Sequence, residues 1–270
     1  PAAAAIWDVD QAAAQSALDD LVNASLLDFD GATLFSLHDL VRAFASLSLP
    51  PEEAYPAAYR HSAYYLKVAR QAGVMFNQGG ENQLAGLFLL DQYWTHIRIG
   101  QAWAASQSET DEAAARLCNA YPLAAISCTS LRLHYEELIS WLQSALRAAR
   151  QTGDRLAEGA HLGNLGNVHL NLGHVSQSIE YFQQSLSISR ENGDRLGEGA
   201  DLGNLGHAYR WLGQISQAID HYQQALEICR EIGEWGDAGN HLAGLGNAYI
   251  NLVQYEQAIG FFQQALTIYQ

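Results

Sequence analysis

The chain has 270 residues, of which 14 are basic and 29 are acidic. This length holds one large domain or two smaller ones, and the acidic balance argues against nucleic acid or an anionic membrane as a partner, because both need clustered Lys and Arg. The three cysteines show no CxxC spacing, which argues against a disulfide framework or a zinc cluster and predicts reduced thiols in a cytoplasmic protein.

The first 50 residues predict a small domain with a hairpin. "DQAAAQSALDDLVNASLLDF" at 10–29 has the apolar spacing of a helix. Asp30-Gly31 then lies between two short runs of partly alternating apolar residues, which predicts a β-hairpin. "HDLVRAFASL" begins another amphipathic helix. Residues 1–50 are therefore predicted to form a winged-helix domain, incomplete at a start that lacks Met.

This segment resembles part of a known family. "ALDDLVNASLLDFDGATLFSLHDLVRAFA" is similar to the winged-helix segment that closes the nucleotide-binding module of STAND-class (NB-ARC) signalling ATPases, and Leu37-His38-Asp39 matches the Met-His-Asp motif of that group. The resemblance implies that His38 contacts the β-phosphate of ADP and that Asp39 supports the helix start. The alternatives are a helix N-terminus that favours Asp39 through its dipole, and a packed surface histidine. A DNA-binding use is disfavoured, because the helix offers one Arg against one Asp.

Residues 51–118 predict a helical linker region. Two long, aromatic-rich helices are expected to join at Gly79-Gly80, and "TDEAAARLCNAY" begins a third. In STAND proteins a similar region mounts the sensor. The prediction for the bulky aromatic side chains is internal packing, not a ligand cage; these are Tyr64, Tyr65, Trp94 and Trp103.

From residue 159 onward the sequence repeats with a period of forty. "LGNLGNVHLNLG" at 162–173 returns as "LGNLGHAYRWLG" and as "LAGLGNAYINLV". Apolar positions step by three and four within each repeat, which predicts two helices per repeat. Gly173 separates the two helices and Gly193 ends the second, where a glycine supplies the left-handed conformation. Asp194 then suits the N-cap of the next helix. The predicted repeats are 119–158 (degenerate), 159–198, 199–238 and 239–270 (truncated).

The repeated residues resemble the tetratricopeptide repeat in a long form. Leu-Gly-x-x-Tyr is followed by Ala218, Tyr222 and Ala225, and the "LGNLG" signature is similar to that of Pins-type scaffolds and many bacterial signalling proteins. The resemblance implies a right-handed α-solenoid. "ENGDRLGEGA" at 191–200 is expected to lengthen the joint between repeats. A phosphate-binding loop at "GNLG" is disfavoured, because the stretch follows no strand and lacks the P-loop Lys.

The glycines of this signature are expected to serve helix packing. Each glycine inside a helix costs about 1 kcal/mol relative to Ala. Such a cost is tolerable where neighbouring helices approach closely, so Gly166 and Gly206 are predicted to admit bulky side chains from the next helix.

The first helix of each repeat is expected to line a concave face. The family resemblance implies contact positions one, four and five residues after the Leu-Gly glycine, with two more one turn earlier. Asn suits an extended peptide backbone, and Trp and Arg are common binding hot spots. A solvated groove is the alternative. The predicted groove residues are Asn164, Asn167, Asn171, Asn204, His207, Arg210, Trp211, Asn247, Ile250 and Asn251.

No catalytic motif is present in the sequence. There is no Gly-Lys of a P-loop, no HExxH and no GxSxG, and the single lysine, Lys67, lies outside the repeats. The predicted fold is mainly α: a winged-helix domain, a helical linker and an α-solenoid. We expect a non-enzymatic fragment with no cofactor or metal, whose full-length protein uses ADP or ATP. Its expected partners are a peptide or protein in the groove and its own nucleotide-binding domain, with oligomerisation on activation. The alternative is a plain repeat scaffold without nucleotide linkage.

Overall fold

The structure, a computed structural model, describes residues 1–29, 35–37 and 50–269. These residues form helices almost throughout and fall into two compact units, Pro1–Arg132 and Leu133–Gln270. None of the described helices combines the length and the apolar character needed to cross a membrane.

The N-terminal part of the first unit contains two helices and a pair of short strands. Helix α1 spans Ala2–Trp7 and α2 spans Gln11–Asn23. Strand β1, Leu27–Phe29, pairs antiparallel with β2, Phe35–Leu37. The strands thus flank Asp30-Gly31, where the sequence predicted a turn. Two three-residue strands do not establish a winged-helix domain, and the helix predicted to follow them falls outside the described residues, so that domain stays a prediction.

Four helices complete the first unit. They are α3 (Pro51–Asn77), α4 (Gly80–Gln107), α5 (Glu112–Ala124) and the short α6 (Ile126–Thr129). The long helices α3 and α4 meet at the two glycines that the sequence singled out, and both glycines have positive φ. A positive φ is strained for other residues, so the chain reverses there at little cost.

Buried hydrogen bonds connect the helices of this unit. The Tyr121 hydroxyl on α5 donates to the Ser62 carbonyl on α3 over 2.7 Å. Ser62 Oγ in turn donates to the Gly100 carbonyl on α4 over 2.9 Å. Both side chains are almost fully buried, and unmade buried hydrogen bonds are costly. These two bonds therefore fix the relative positions of α3, α4 and α5.

The aromatic side chains of α3 and α4 pack on one another. Tyr65 is buried and stacks on His96, with ring centroids 4.6 Å apart. Trp103 makes edge contacts with Tyr55 and Tyr59 at 5.4 and 6.2 Å. For Tyr65 and Trp103, the internal packing predicted from the sequence agrees with these contacts.

The second unit is a single helix followed by three helix pairs. The single helix is α7, Tyr135–Thr152. The pairs are α8 (Arg155–Asn171) with α9 (Val175–Asn192), α10 (Arg195–Trp211) with α11 (Ile215–Ile232), and α12 (Trp235–Asn251) with α13 (Tyr255–Tyr269). Each helix packs mainly on its partner and on the adjacent pair, which is the arrangement of a repeat solenoid.

The joint between repeats is shorter than the sequence suggested, although its N-cap residue, Asp194, is the one that the sequence predicted. The Asp194 side chain accepts a hydrogen bond from the Gly197 amide over 2.9 Å, so α10 begins at Arg195. The expectation that residues 191–200 lengthen the joint is wrong: the joint is Gly193-Asp194, and the following residues lengthen the helix. The boundary between the two units falls after Arg132, within the predicted degenerate repeat 119–158, whose bounds stay a prediction.

The predicted apolar positions form the core of the second unit. The two leucines that stand three positions apart in each pattern are at most 3% exposed; they are Leu162, Leu165, Leu202, Leu205, Leu242 and Leu245. The last helix differs, since Ile259 is 54% exposed while its equivalent Ile179 is 9% exposed. Among the described residues nothing packs on that face of α13. The apolar face of each helix pair is therefore buried only where an adjacent pair packs on it.

Glycines of the first helices allow aromatic rings to approach the backbone, as predicted. A Cβ atom placed on Gly206 would lie 2.7 Å from the ring of Tyr222, and one on Gly166 would lie 2.5 Å from the ring of Phe182. Both rings are fully buried. Because the rings have no room to move, these positions exclude any larger residue.

We expect Gly206→Ala to lower the free energy of unfolding by about 1–3 kcal/mol, the range for overpacked cores. Gly260→Ala is the matched control, because that glycine lies inside α13 with open space around its Cα. Its replacement is expected to stabilise the helix by up to about 1 kcal/mol. Urea unfolding followed by circular dichroism measures both changes, and changes of the same sign would contradict the packing argument.

Candidate functional site

Two adjoining cavities lie along the first helices of the second unit, and residues of α9 also line the first of them. The first cavity has a volume of 240 Å³ and includes Asn164, Asn167 and Asn204 in its lining. The second has a volume of 320 Å³ and includes Asn204, His207 and Asn247. Because Asn204 and Ala200 line both cavities, they are continuous along α8, α10 and α12. We call this surface the groove.

The groove brings together five of the ten groove residues predicted from the sequence. The other five, Asn171, Arg210, Trp211, Ile250 and Asn251, lie near the C-terminal ends of the first helices and line neither cavity. Trp211 is nevertheless 65% exposed. The two predicted nucleotide-sensing residues, His38 and Asp39, fall outside the described residues.

Arg210 interacts with two side chains of its own repeat, His207 and Tyr222. It is half-buried, and its charge contributes to the lowered pKa of His207 and opposes the burial that raises the pKa of Tyr222. The Tyr222 hydroxyl lies 3.0 Å from His207 Nδ1. Arg210, His207 and Tyr222 therefore form one cluster of interacting side chains.

The amide side chains of the groove have free hydrogen-bonding capacity. Asn167 and Asn247 are exposed, and Asn164 and Asn204 are half-buried. Each amide offers two donors and an acceptor, yet none of these four makes a side-chain hydrogen bond to any described residue. An extended backbone presents the complementary groups at regular intervals, so the groove can pair with one.

The sequence analysis missed eight polar side chains that line the groove: Ser185, Ser189, Asn192, Asp194, Asp201, Asp237, Asn240 and His241. Asp201 and His241 occupy equivalent positions forty residues apart, five residues before the glycine of Leu-Gly. That position falls on the buried side of the helical pattern, so a polar residue there was the available signal.

Asp201 is a buried carboxylate without a cationic partner. It is 4% exposed, and its Oδ2 accepts a hydrogen bond from Ser189 Oγ over 3.0 Å. No ion pair in the described part of the chain involves it. Burial raises the pKa of Asp201 to about 6. The charge of Asp194 adds to this rise, whereas hydrogen bonds from Ser185 and Ser189 oppose it.

The nearby arginines pair with glutamates. Arg155 bridges Glu158 and Glu191, and Arg150 also contacts Glu158 over 2.8 Å. Burial alone would raise the pKa of Glu158, but hydrogen bonds from the two arginines hold it below its usual value. The same arrangement recurs forty residues later; its members are Arg190, Arg195, Glu198 and Glu231. The basic residues closest to the first cavity are thus already paired.

Burial favours the neutral form of two histidines that line the second cavity. Burial lowers the pKa of His207 to about 4, and the charges of Arg210 and His241 add to this effect. Burial also lowers the pKa of His241. His241 is 5% exposed, and neither of its ring nitrogens has a hydrogen-bond partner among the described residues. An unpaired polar group at this depth is unusual.

The first unit has a concavity of a different kind. It has a volume of 620 Å³ between α3 and α5, and Lys67, Arg70 and Arg116 line it together with Glu112. Arg116 pairs with Glu112 on α5. Elsewhere, no three His, Cys, Asp or Glu side chains among the described residues are grouped as a metal site.

Sequence comparison identifies the repeats. The family model for the tetratricopeptide repeat matches residues 128–191 and 200–270, which together are half of the chain. No curated protein sequence matches the chain.

Solved structures share the fold at low sequence identity. BtubC (BKLC) from P. vanneervenii is 17% identical, with a TM-score of 0.57, over 86% of this chain and 91% of that one. A putative kinesin light chain with tetratricopeptide-like repeats from Podosopora anserina is also 17% identical, with a TM-score of 0.52, over 77% of this chain and 95% of that one. The STAND protein PH0952 from Pyrococcus horikoshii, which has a tetratricopeptide repeat sensor, is 17% identical over 94% of this chain and 52% of that one, with a TM-score of 0.46. A score this low supports no argument on nucleotide coupling.

Asp201→Asn is expected to stabilise the protein in a pH-dependent way. The pKa of Asp201 is raised by folding from 3.8 to about 6, so the stability that the carboxyl contributes is complete below about pH 4 and is lost as the pH rises through 6. Asn stays neutral and keeps the acceptor for Ser189. We therefore expect a gain of up to about 3 kcal/mol at about pH 8 and none at about pH 3. Urea unfolding across this range measures it; a gain independent of pH would contradict the assignment.

Proposed function

Because the chain belongs to the tetratricopeptide repeat family, a family of protein-interaction scaffolds, we propose that its groove binds an extended segment of a protein partner. The observation that carries the proposal is the row of amides on the first helices of the repeats, whose side chains make no hydrogen bond to any described residue; they are Asn164, Asn167, Asn204 and Asn247.

The chemistry of the row favours a peptide backbone. A backbone alternates one donor and one acceptor per residue, and an amide side chain can satisfy both at once. A small-molecule site is normally apolar, with a few polar groups, whereas the groove presents mainly amides and small residues. Exposed Trp211 lies beyond the cavities and offers an apolar contact of the kind common at binding hot spots.

The groove proposal predicts the effect of removing the amides. Peptides selected from a random library for binding to the chain are tested on a variant with Asn167→Ala, Asn204→Ala and Asn247→Ala. Each lost hydrogen bond costs about 0.5–1.5 kcal/mol, so affinity is expected to fall roughly tenfold or more. Gln223→Ala is the control, because this exposed amide lies on the second helix α11. Unchanged binding to the triple variant, or an equal loss in the control, would place the site elsewhere.

We propose in addition that the groove acts in a STAND protein whose nucleotide state it controls. The support is the sequence resemblance at Leu37-His38-Asp39, together with the strand pair that precedes it. In this proposal His38 meets the β-phosphate of ADP held by a separate nucleotide-binding module. Ligand in the groove then shifts the protein from a closed ADP form to an open, oligomerising form, by binding the two forms with different affinity. A plain scaffold without nucleotide linkage is the alternative.

ADP binding separates the two functions. By calorimetry the present chain alone should show negligible ADP affinity, because His38 without a phosphate-binding loop cannot hold a nucleotide. If the gene sequence upstream encodes a P-loop, His38→Ala in the longer protein should weaken ADP binding, while His134→Ala, a change in the second unit, should not. The absence of an upstream P-loop, or ADP affinity unaffected by His38→Ala, would leave the plain scaffold.

A further inference from the structure

The first cavity of the groove differs from the second in having a buried carboxylate. Among the described residues its charged lining side chains are Asp194 and the buried Asp201, whereas the charged side chain lining the second cavity beside its histidines is the half-buried Asp237. We propose that this cavity is a subsite for one cationic side chain, Arg or Lys, of the bound peptide, and that Asp201 is the residue that selects it. This inference rests on the proposed function, since it names what the groove prefers at one place.

No basic side chain among the described residues pairs with the carboxylate of Asp201. The neighbouring arginines, Arg155 and Arg190, are held by glutamates, and the hydrogen-bond donors available to Asp201 within the chain are serines. A buried charge is costly unless it is paired. A cation from a ligand would supply that pair, and the attraction is strong at a site shielded from water.

The shape of the cavity suits a single long side chain. Its 240 Å³ is below the roughly 300–1,000 Å³ of whole small-molecule sites. Leu156 and Ile188 provide apolar walls for the aliphatic stem of Arg or Lys, which packs on apolar surface while the charged end reaches polar groups. Asn164 and Asn167 lie in the same lining and can accept the remaining donors of the cation.

The adjoining cavity has a second buried polar side chain at the equivalent position. His241 replaces Asp201 one repeat later, and its two ring nitrogens are buried and lack partners among the described residues. Both positions thus retain hydrogen-bonding capacity that the chain itself does not fill. Because the buried residue is a carboxylate in the first cavity and a histidine in the second, the first cavity has the stronger preference for a cation, although Asp237 also lines the second. This difference fixes the register of the peptide along the groove.

The subsite can be tested with small probes and without a known partner. The probes are N-acetyl-arginine amide and N-acetyl-lysine amide, with the neutral N-acetyl-citrulline amide for comparison. Binding is followed by NMR of the Asp201 side-chain carboxyl carbon above pH 6, where this group is ionised. We expect the cationic probes to bind roughly tenfold more tightly than the neutral one. We also expect Asp201→Asn to remove this preference.

Asp220→Asn is the matched control, because it makes the same charge change at an exposed position on α11. It should leave the preference intact. Equal affinity for the arginine and citrulline probes, or a preference that survives Asp201→Asn, would overturn the subsite. Failure of library peptides to bind would refute the groove function but not the cation subsite, whereas peptides that bind without any preference for Arg or Lys would refute the subsite alone.

Discussion

The close contact between a glycine on each first helix and an aromatic ring on the following helix determines the geometry of the repeat unit. A ring against Gly166 occupies the space that a side chain would take, and the ring of Phe182 is fully buried there. The same contact recurs at Gly206 with Tyr222 and at Gly246 with Phe262. Helix-interior glycines cost stability, which here is offset by burial of a large apolar surface. The repeated contact sets how the first and second helices of each repeat pack, and the groove runs along the first helices.

The groove combines a well-packed scaffold with polar side chains that do not contribute to the stability of the fold. The leucine columns beneath it are buried, and the arginines beside it are paired with glutamates. Against this background Asp201 and His241 are buried polar groups that reduce stability as they stand. Natural proteins retain such groups where binding or catalysis uses them. The groove proposal and the cation subsite therefore follow from one property: polar capacity that remains unused in the folded chain.

The repeat family, peptide binding and nucleotide coupling each rest on a different observation. The tetratricopeptide repeat family follows from the sequence match, and the fold agrees with solved structures. Peptide binding follows from the free amides and is proposed. Control of a nucleotide switch rests on Leu37-His38-Asp39 and on the segment around it. The groove does not depend on that coupling, because all of its residues lie in the second unit.

The sequence alone determined the helices, the turns and the core of the repeat unit. Local patterns determine these features. Leu202 and Leu205 follow the helical period, and Gly193 ends its helix because a glycine adopts the left-handed conformation there without strain. Asp194 likewise suits an N-cap, and its side chain caps α10. The sequence did not show which amides share a cavity or that Asp201 lacks a cation. Those facts depend on distances between residues of different repeats and on which arginines are already paired, and only the packed helices decide them.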